Sequence, residues 1–243
     1  MLIPLYDHNP VDKTPIVTYS LIAINVLAWL GLQGAGFNPM FVESICKYGL
    51  VSGDLLGRIS AGQGIQLTSN LVCRFDGSPD LHTLITSMFM HGGWLHLIGN
   101  MWFLWIFGDN VENSLGRYKF LFFYIACGLA AAAAQIATDV SSVVPMVGAS
   151  GAIGGVMGAY IVLHPRTRVK SLLFLLFFVA IIEVPAVLIL GIWFLTQLLS
   201  GLPELGSVNR GGVAFWAHIG GFVAGAGLVL LLKPKQKLLT LRR

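Results

Sequence analysis

The sequence predicts an all-α membrane protein, a six-transmembrane-helix bundle with a long external loop between helices 1 and 2. Three observations carry that expectation. The 243 residues are 56% apolar and only 11% charged, where soluble domains carry roughly 25% charged residues. The mean hydropathy is +0.78. The charges cluster, and between the clusters lie six apolar runs, each near the ~20 residues that cross a bilayer. A water-solvated surface cannot be built from so few charges, so residues 1–243 read as a single membrane domain.

The N-terminal stretch MLIPLYDHNPVDKTP is polar and punctuated by prolines. It lacks a basic region leading straight into a short apolar one, so no cleavable signal peptide is expected and the first apolar run stays as a helix. The spans are expected at 17–34, 93–108, 120–137, 147–163, 184–202 and 213–232. The stretch 171–202 is too long for one simple span and is interrupted by Glu183-Val184-Pro185. Proline disfavours helix in the residue before it. Residues 171–182 are therefore expected as an interfacial or re-entrant lead-in, with the fifth helix starting after Pro185 and Glu183 near the cytoplasmic interface rather than in a gate.

Basic residues set the orientation. With a cytoplasmic N-terminus, the cytoplasmic segments hold Lys13, Arg117, Lys119, Arg166, Arg168, Lys170, Lys233, Lys235, Lys237, Arg242 and Arg243. The opposite side holds Lys47, Arg58, Arg74 and Arg210. Eleven against four is a positive-inside bias that puts both termini in the cytoplasm. The same placement explains the pI near 9.1 without a nucleic-acid partner. The external loop, 35–90, mixes Gly, Ser and Asp with short apolar runs and is expected as a structured cap on the membrane surface. Cys127, in an apolar span, should pack as a small hydrophobe. Cys46 and Cys73 share the loop and could pair if it faces an oxidising space.

A polar side chain inside hydrocarbon needs a partner, and an ionisable one is a functional candidate. Three groups qualify. Ser150 opens the fourth span, where free N–H groups and the positive helix end favour developing negative charge. Gly154 and Gly158 keep its face bare for close helix approach. His218 opens the sixth span, with Gly221 and Gly225 on its face and Phe222 bordering them. A neutral imidazole in reach of Ser150 could take its proton and return it to a leaving amine. His96 and Asn100, at i and i+4 in the second span, point the same way and can both donate to an oxyanion. Each group alone is equally consistent with helix capping or interhelical packing. Together they put a nucleophile, a base and two donors at the same ends of three spans that run in the same direction. A metal site from His82, His91 and His96 fits no standard zinc spacing.

These residues resemble the rhomboid family of intramembrane serine proteases. The matching pieces are HGGWLHLIGN (91–100), GASG (148–151) and AHIGGFVAG (217–225), in family order on a rhomboid-like bundle. The resemblance implies Ser150 as nucleophile and His218 as general base, a dyad without a carboxylate. It implies His96, Asn100 and the Ser150 backbone N–H as the oxyanion hole, and His91, Gly148, Gly151, Gly221 and Gly225 as supporting positions. Asp109-Asn110-Val111-Glu112 with Gly116-Arg117 resembles the family's cytoplasmic end of span two. One position departs: many members carry an aromatic residue four after the serine, stacked on the histidine, where this chain has Gly154. Trp216 or closer helix approach would then have to orient His218.

The implied activity is peptide hydrolysis in transmembrane protein substrates that enter from the lipid bilayer between spans two and five, with no cofactor and no metal. Trp102, Phe103 and Trp105, with Trp193, Phe194 and Gln197, are candidate gate residues, although ordinary lipid-facing or interfacial aromatic packing is the simpler account of them. The compact form suggests a prokaryotic cell (inner) membrane. The competing readings are a catalytically inactive rhomboid-like scaffold that binds transmembrane helices, and a small transporter or channel using the intramembrane His and Asn as a relay, against which stands the lack of paired half-structures.

Overall fold

The computed structural model describes residues 2–68, 71–175, 178–205 and 213–232. In chain order the elements are β1 (Leu2–Asp7), α1 (Ile16–Gly31), α2 (Met40–Tyr48), α3 (Ser52–Leu55), β2 (Gly64–Thr68), β3 (Leu71–Arg74), α4 (Thr83–Thr86), α5 (Trp94–Leu115), α6 (Arg117–Thr138), α7 (Ser150–Leu163), β4 (Arg168–Leu175), β5 (Phe178–Pro185), α8 (Ala186–Gly201) and α9 (Phe215–Leu232). The chain is mostly helical, and each of the six apolar runs carries a helix: α1 and α5 to α9. By length and composition α6 and α9 are long and apolar enough to cross a membrane, while α1, α7 and α8 are shorter apolar helices. Arg210, Lys233, Lys235, Lys237, Arg242 and Arg243 lie outside the described residues.

The core lies among α5, α6, α7 and α9, where Leu104, Phe107, Phe120, Phe123, Tyr124 and Tyr160 are fully buried. The pairing of α7 with α9 is the most intimate, because facing positions lack side chains. A Cβ at Gly221 would overlap the Gly151 carbonyl oxygen, and one at Gly225 the Gly155 carbonyl. A Cβ at Gly151 would stand 2.5 Å from Ala131 Cβ on α6. The two backbones therefore touch directly, as small residues allow between apolar helices.

Helix α5 runs to Leu115, well past the expected end at 108, because its polar C-terminal residues are partnered. Glu112 accepts from Val17 N (3.0 Å), Thr18 N (2.8 Å) and Thr18 Oγ1 (2.8 Å). A buried carboxylate thus satisfies the orphan N–H groups at the positive end of α1. Asn110 Nδ2 donates to Asp7 Oδ2 at 2.9 Å, and the Tyr160 hydroxyl donates to the same carboxylate. Asp7 so ties β1 to α5 and α7.

In the stretch expected as a lead-in, residues 171–175 belong to β4 and 178–182 to β5, antiparallel from Arg168↔Pro185 to Leu175↔Phe178, and β4 also pairs with β1 in the order β1-β4-β5. Val169, Val179, Ile181, Ile182 and Val184 are β-branched, and such residues suit a pleated surface. Eight-residue apolar runs are strand-length, and hydropathy alone does not separate them from a helix. Helix α8 does start after Pro185. Glu183 sits on β5, outside any helix, paired with His8 (3.2 Å) and Arg168 (3.5 Å).

Between α1 and α5, the Cys46–Cys73 disulfide joins α2 to β3. The segment also grips the approach to α7. Leu50 and Met146 exchange backbone bonds of 2.9 and 2.8 Å, and Gly148 N donates to Ser87 O at 2.9 Å. Cys127 is a buried free thiol.

Candidate active site

Ser150 is the first residue of α7. The first N–H to bond back along that helix is Ile153, to Ala149 O at 3.0 Å, which leaves the N–H groups of the opening turn directed out of the helix end. His218, in the first turn of α9, holds its Nε2 2.8 Å from Ser150 Oγ. The glycine contacts between α7 and α9 make that distance possible. Farther down the pair, Gly154 lies where a Cβ would stand 3.0 Å from the His218 carbonyl oxygen.

What steadies the imidazole comes from α8. Trp193 lies against it with ring centroids 5.8 Å apart and planes tilted by 37°, and Gln197 Oε1 stands 2.8 Å from His218 Nδ1. Trp216, expected as a possible support, instead donates its Nε1 to Gly201 O at 3.1 Å and ties α9 to the end of α8. Gln135 of α6 accepts from Ala217 N at 3.1 Å, satisfying an orphan donor of α9 beside the histidine.

His96 accepts the Gly92 N–H on its Nδ1 at 3.2 Å. A neutral imidazole that accepts on one nitrogen donates from the other, so Nε2 carries the proton. That nitrogen points at Gly148: a Cβ there would lie 2.8 Å from His96 Nε2 and 3.5 Å from Ser150 Oγ. With φ at 129°, position 148 suits glycine twice over. Asn100 is buried, and its Nδ2 has no hydrogen-bond partner among the described residues. Ser150, His218, His96 and Asn100 all line one cavity of about 730 Å³, with Phe103, Trp193 and Met157 among its apolar walls. A buried, unspent amide donor in the cavity that holds the Ser150–His218 contact has the chemistry to meet a negatively charged oxygen there.

His91 stands behind His96, with ring centroids 5.2 Å apart. Its backbone N–H donates to Gln33 Oε1 (2.7 Å) and its carbonyl accepts from Gln33 Nε2 (2.8 Å). Gln33, at the end of α1, carried no motif in the sequence; only its place in an apolar run could have marked it. Of the gate candidates, Phe103 of α5 and Trp193 of α8 line that same cavity, while Trp102 and Trp105 turn elsewhere. Trp102 Nε1 donates to Pro4 O at 2.7 Å, and Trp105 stacks on Tyr19 at 5.1 Å, so both rings engage β1 and α1. Trp193 and Phe194 pack instead on Phe222 of α9, at 6.1 and 4.7 Å. His82 bonds to Lys47 O at 3.0 Å, apart from His91 and His96. No group of three or more His, Cys, Asp or Glu side chains converges among the described residues.

Residues 78–235 match the Rhomboid domain. The chain belongs to the rhomboid family. It is 30% identical over 220 residues to "Rhomboid protease GluP" of Bacillus subtilis (strain 168), covering 89% of this chain and 35% of that protein. It is 35% identical over 165 residues to "RHOMBOID-like protein 12, mitochondrial" of Arabidopsis thaliana, covering 61% and 46%. With "RHOMBOID-like protein 5" of the same plant it shares 31% over 157 residues, covering 63% and 45%. The chain thus spans less than half the length of these relatives. Rhomboids are membrane proteins and, in general, serine proteases of the bilayer.

Proposed function

We infer that this rhomboid is itself an active intramembrane serine protease working through a Ser150–His218 dyad. The 2.8 Å contact between Ser150 Oγ and His218 Nε2, inside a cavity that also holds the unpartnered Asn100 amide, is the observation that carries this reading. On it, α1 and α5 to α9 cross the bilayer with both termini in the cytoplasm, as the basic-residue asymmetry favours, in a prokaryotic cell membrane. The 14 residues of α7 span only ~21 Å, less than the ~30 Å hydrocarbon core. Ser150 then lies below the membrane surface, where a substrate's transmembrane segment can reach it laterally between α5 and α8.

The chemistry follows from the donor and acceptor roles. His218 Nε2 takes the Ser150 proton as Oγ attacks the scissile carbonyl. The tetrahedral oxyanion is held by His96 Nε2–H, Asn100 Nδ2–H and the Ser150 N–H; losing one such donor costs roughly 10²–10³ in rate. The imidazolium returns the proton to the leaving amine, giving an acyl-enzyme. A water deprotonated by the same nitrogen hydrolyses the ester and regenerates Ser150.

The test is cleavage of a single-span substrate by purified protein in detergent or liposomes. Ser150→Ala is expected to cut the rate to below about a thousandth of wild type. Cleavage that survives this substitution, or wild-type protein that cuts none of several substrates, refutes the reading.

A further inference from the structure

We propose that Gln197 is the positioning residue of this site, fixing the tautomer and the plane of His218 with a neutral amide in the place where soluble serine hydrolases use a carboxylate. The proposal rests on the protease reading above and adds a role in it that neither composition nor motif assigns.

The argument is a chain of hydrogen-bond roles along one face of α8. Thr196 Oγ1 lies 2.6 Å from the Trp193 carbonyl oxygen, and since a carbonyl only accepts, the single hydroxyl hydrogen is committed there. Thr196 Oγ1 can then only accept from the Gln197 side chain, 3.4 Å away, so the end of the amide facing Thr196 is its NH₂. The other end, Oε1, is the one 2.8 Å from His218 Nδ1. An amide oxygen has no proton to give, so Nδ1 carries the hydrogen. Nε2 is left with its lone pair aimed at the Ser150 hydroxyl at 2.8 Å, the tautomer a general base requires. With the amide reversed, its NH₂ would donate to Nδ1 and Nε2 would hold the hydrogen, unable to accept the serine proton.

Trp193 stands one helical turn before Gln197 on the same face and lies against the ring that Gln197 orients. Together they replace what Gly154 lacks: the tryptophan restrains the plane and the glutamine fixes the proton. A neutral acceptor also suits the depth of the site. A carboxylate there would add a charge needing its own partners, whereas the amide settles the tautomer without one.

The test pairs kinetics with a spectroscopic readout that does not depend on turnover. Wild-type protein labelled with ¹⁵N-histidine, with His218 assigned by loss of its signals in His218→Asn, should show a protonated Nδ1 and an unprotonated Nε2. Gln197→Leu should shift those signals toward the opposite tautomer. It should lower kcat by about tenfold or more, with KM within about twofold. Gln197→Glu, which keeps an acceptor oxygen at the same reach, should restore at least a third of wild-type kcat. A wild-type His218 protonated on Nε2 overturns the proposal, as does a Gln197→Leu variant with kcat within twofold of wild type. Loss of folding in Gln197→Leu leaves the wild-type tautomer to decide. If wild type never cleaves, the protease reading fails while the tautomer measurement still judges Gln197.

Discussion

Substituting Gly221 with alanine adds one methyl group where α7 and α9 meet backbone to backbone. In the native packing that Cβ would overlap the Gly151 carbonyl oxygen, and ordinary van der Waals contact begins near 3.4 Å. The helices must therefore separate locally by at least about 1 Å, since neither partner is a side chain that can swing aside. His218 lies one turn away on the same helix, and the 2.8 Å bond to Ser150 stretches beyond hydrogen-bond range under that displacement. Misplacement by 1 Å costs roughly 100-fold in rate, and overpacking of this kind costs about 1–3 kcal/mol of stability. Gly227, on the same helix, has nothing within 4 Å of its would-be Cβ. Gly227→Ala should leave the rate unchanged and stabilise the helix by up to about 1 kcal/mol. The assay is kcat/KM on a transmembrane substrate, with thermal unfolding in the same detergent. Gly221→Ala that cleaves at the wild-type rate, or Gly227→Ala that fails equally, would refute the claim that backbone contact sets the dyad distance.

Two further outcomes are expected. Glu112→Ala strands three donors at the start of α1, two of them backbone N–H groups, and should lower unfolding stability by about 3 kcal/mol with little change in rate per folded molecule; a melting temperature equal to wild type counts against the cap. Burial, and then the neighbouring His96, holds the His91 imidazole down at about 3, against an ordinary 6.5. Between those values the unfolded chain binds a proton that the folded one refuses, so this contribution to stability is intact above 6.5 and lost as the pH falls below it. By pH 5 the loss amounts to about 2 kcal/mol. His91→Gln should lose correspondingly less between pH 7 and pH 5, and a full wild-type drop in that variant would show that another group is responsible.

The helices were legible because apolar runs bounded by charge and proline leave few alternatives, and the placement of Ser150, His218, His96 and Asn100 followed from their being at like ends of alternate runs. The strands were not. β1 is a short N-terminal segment whose partner lies far along the chain, and its pairing with β4 is a non-local fact that no local pattern announces. Gln197 was legible in the sequence only as a candidate gate residue. Its relation to His218 depends on how α8 is rotated, which the 16 residues of a largely apolar helix do not encode in their periodicity. Trp216 misled for the same reason: adjacency in sequence to Ala217 and His218 says nothing about which way an indole turns.

The bonds from Leu50 to Met146 and from Ser87 to Gly148 have a consequence for anyone wishing to miniaturise this protein. They make 35–90 a splint for the peptide that leads into Ser150, since Gly148 is held through its own N–H rather than through a side chain. Trimming that region, though it lies far from the chemistry in sequence, would release the peptide that sets where the serine begins. The smallest unit that keeps this geometry is therefore fixed by backbone bonds as well as by the helices that carry Ser150 and His218.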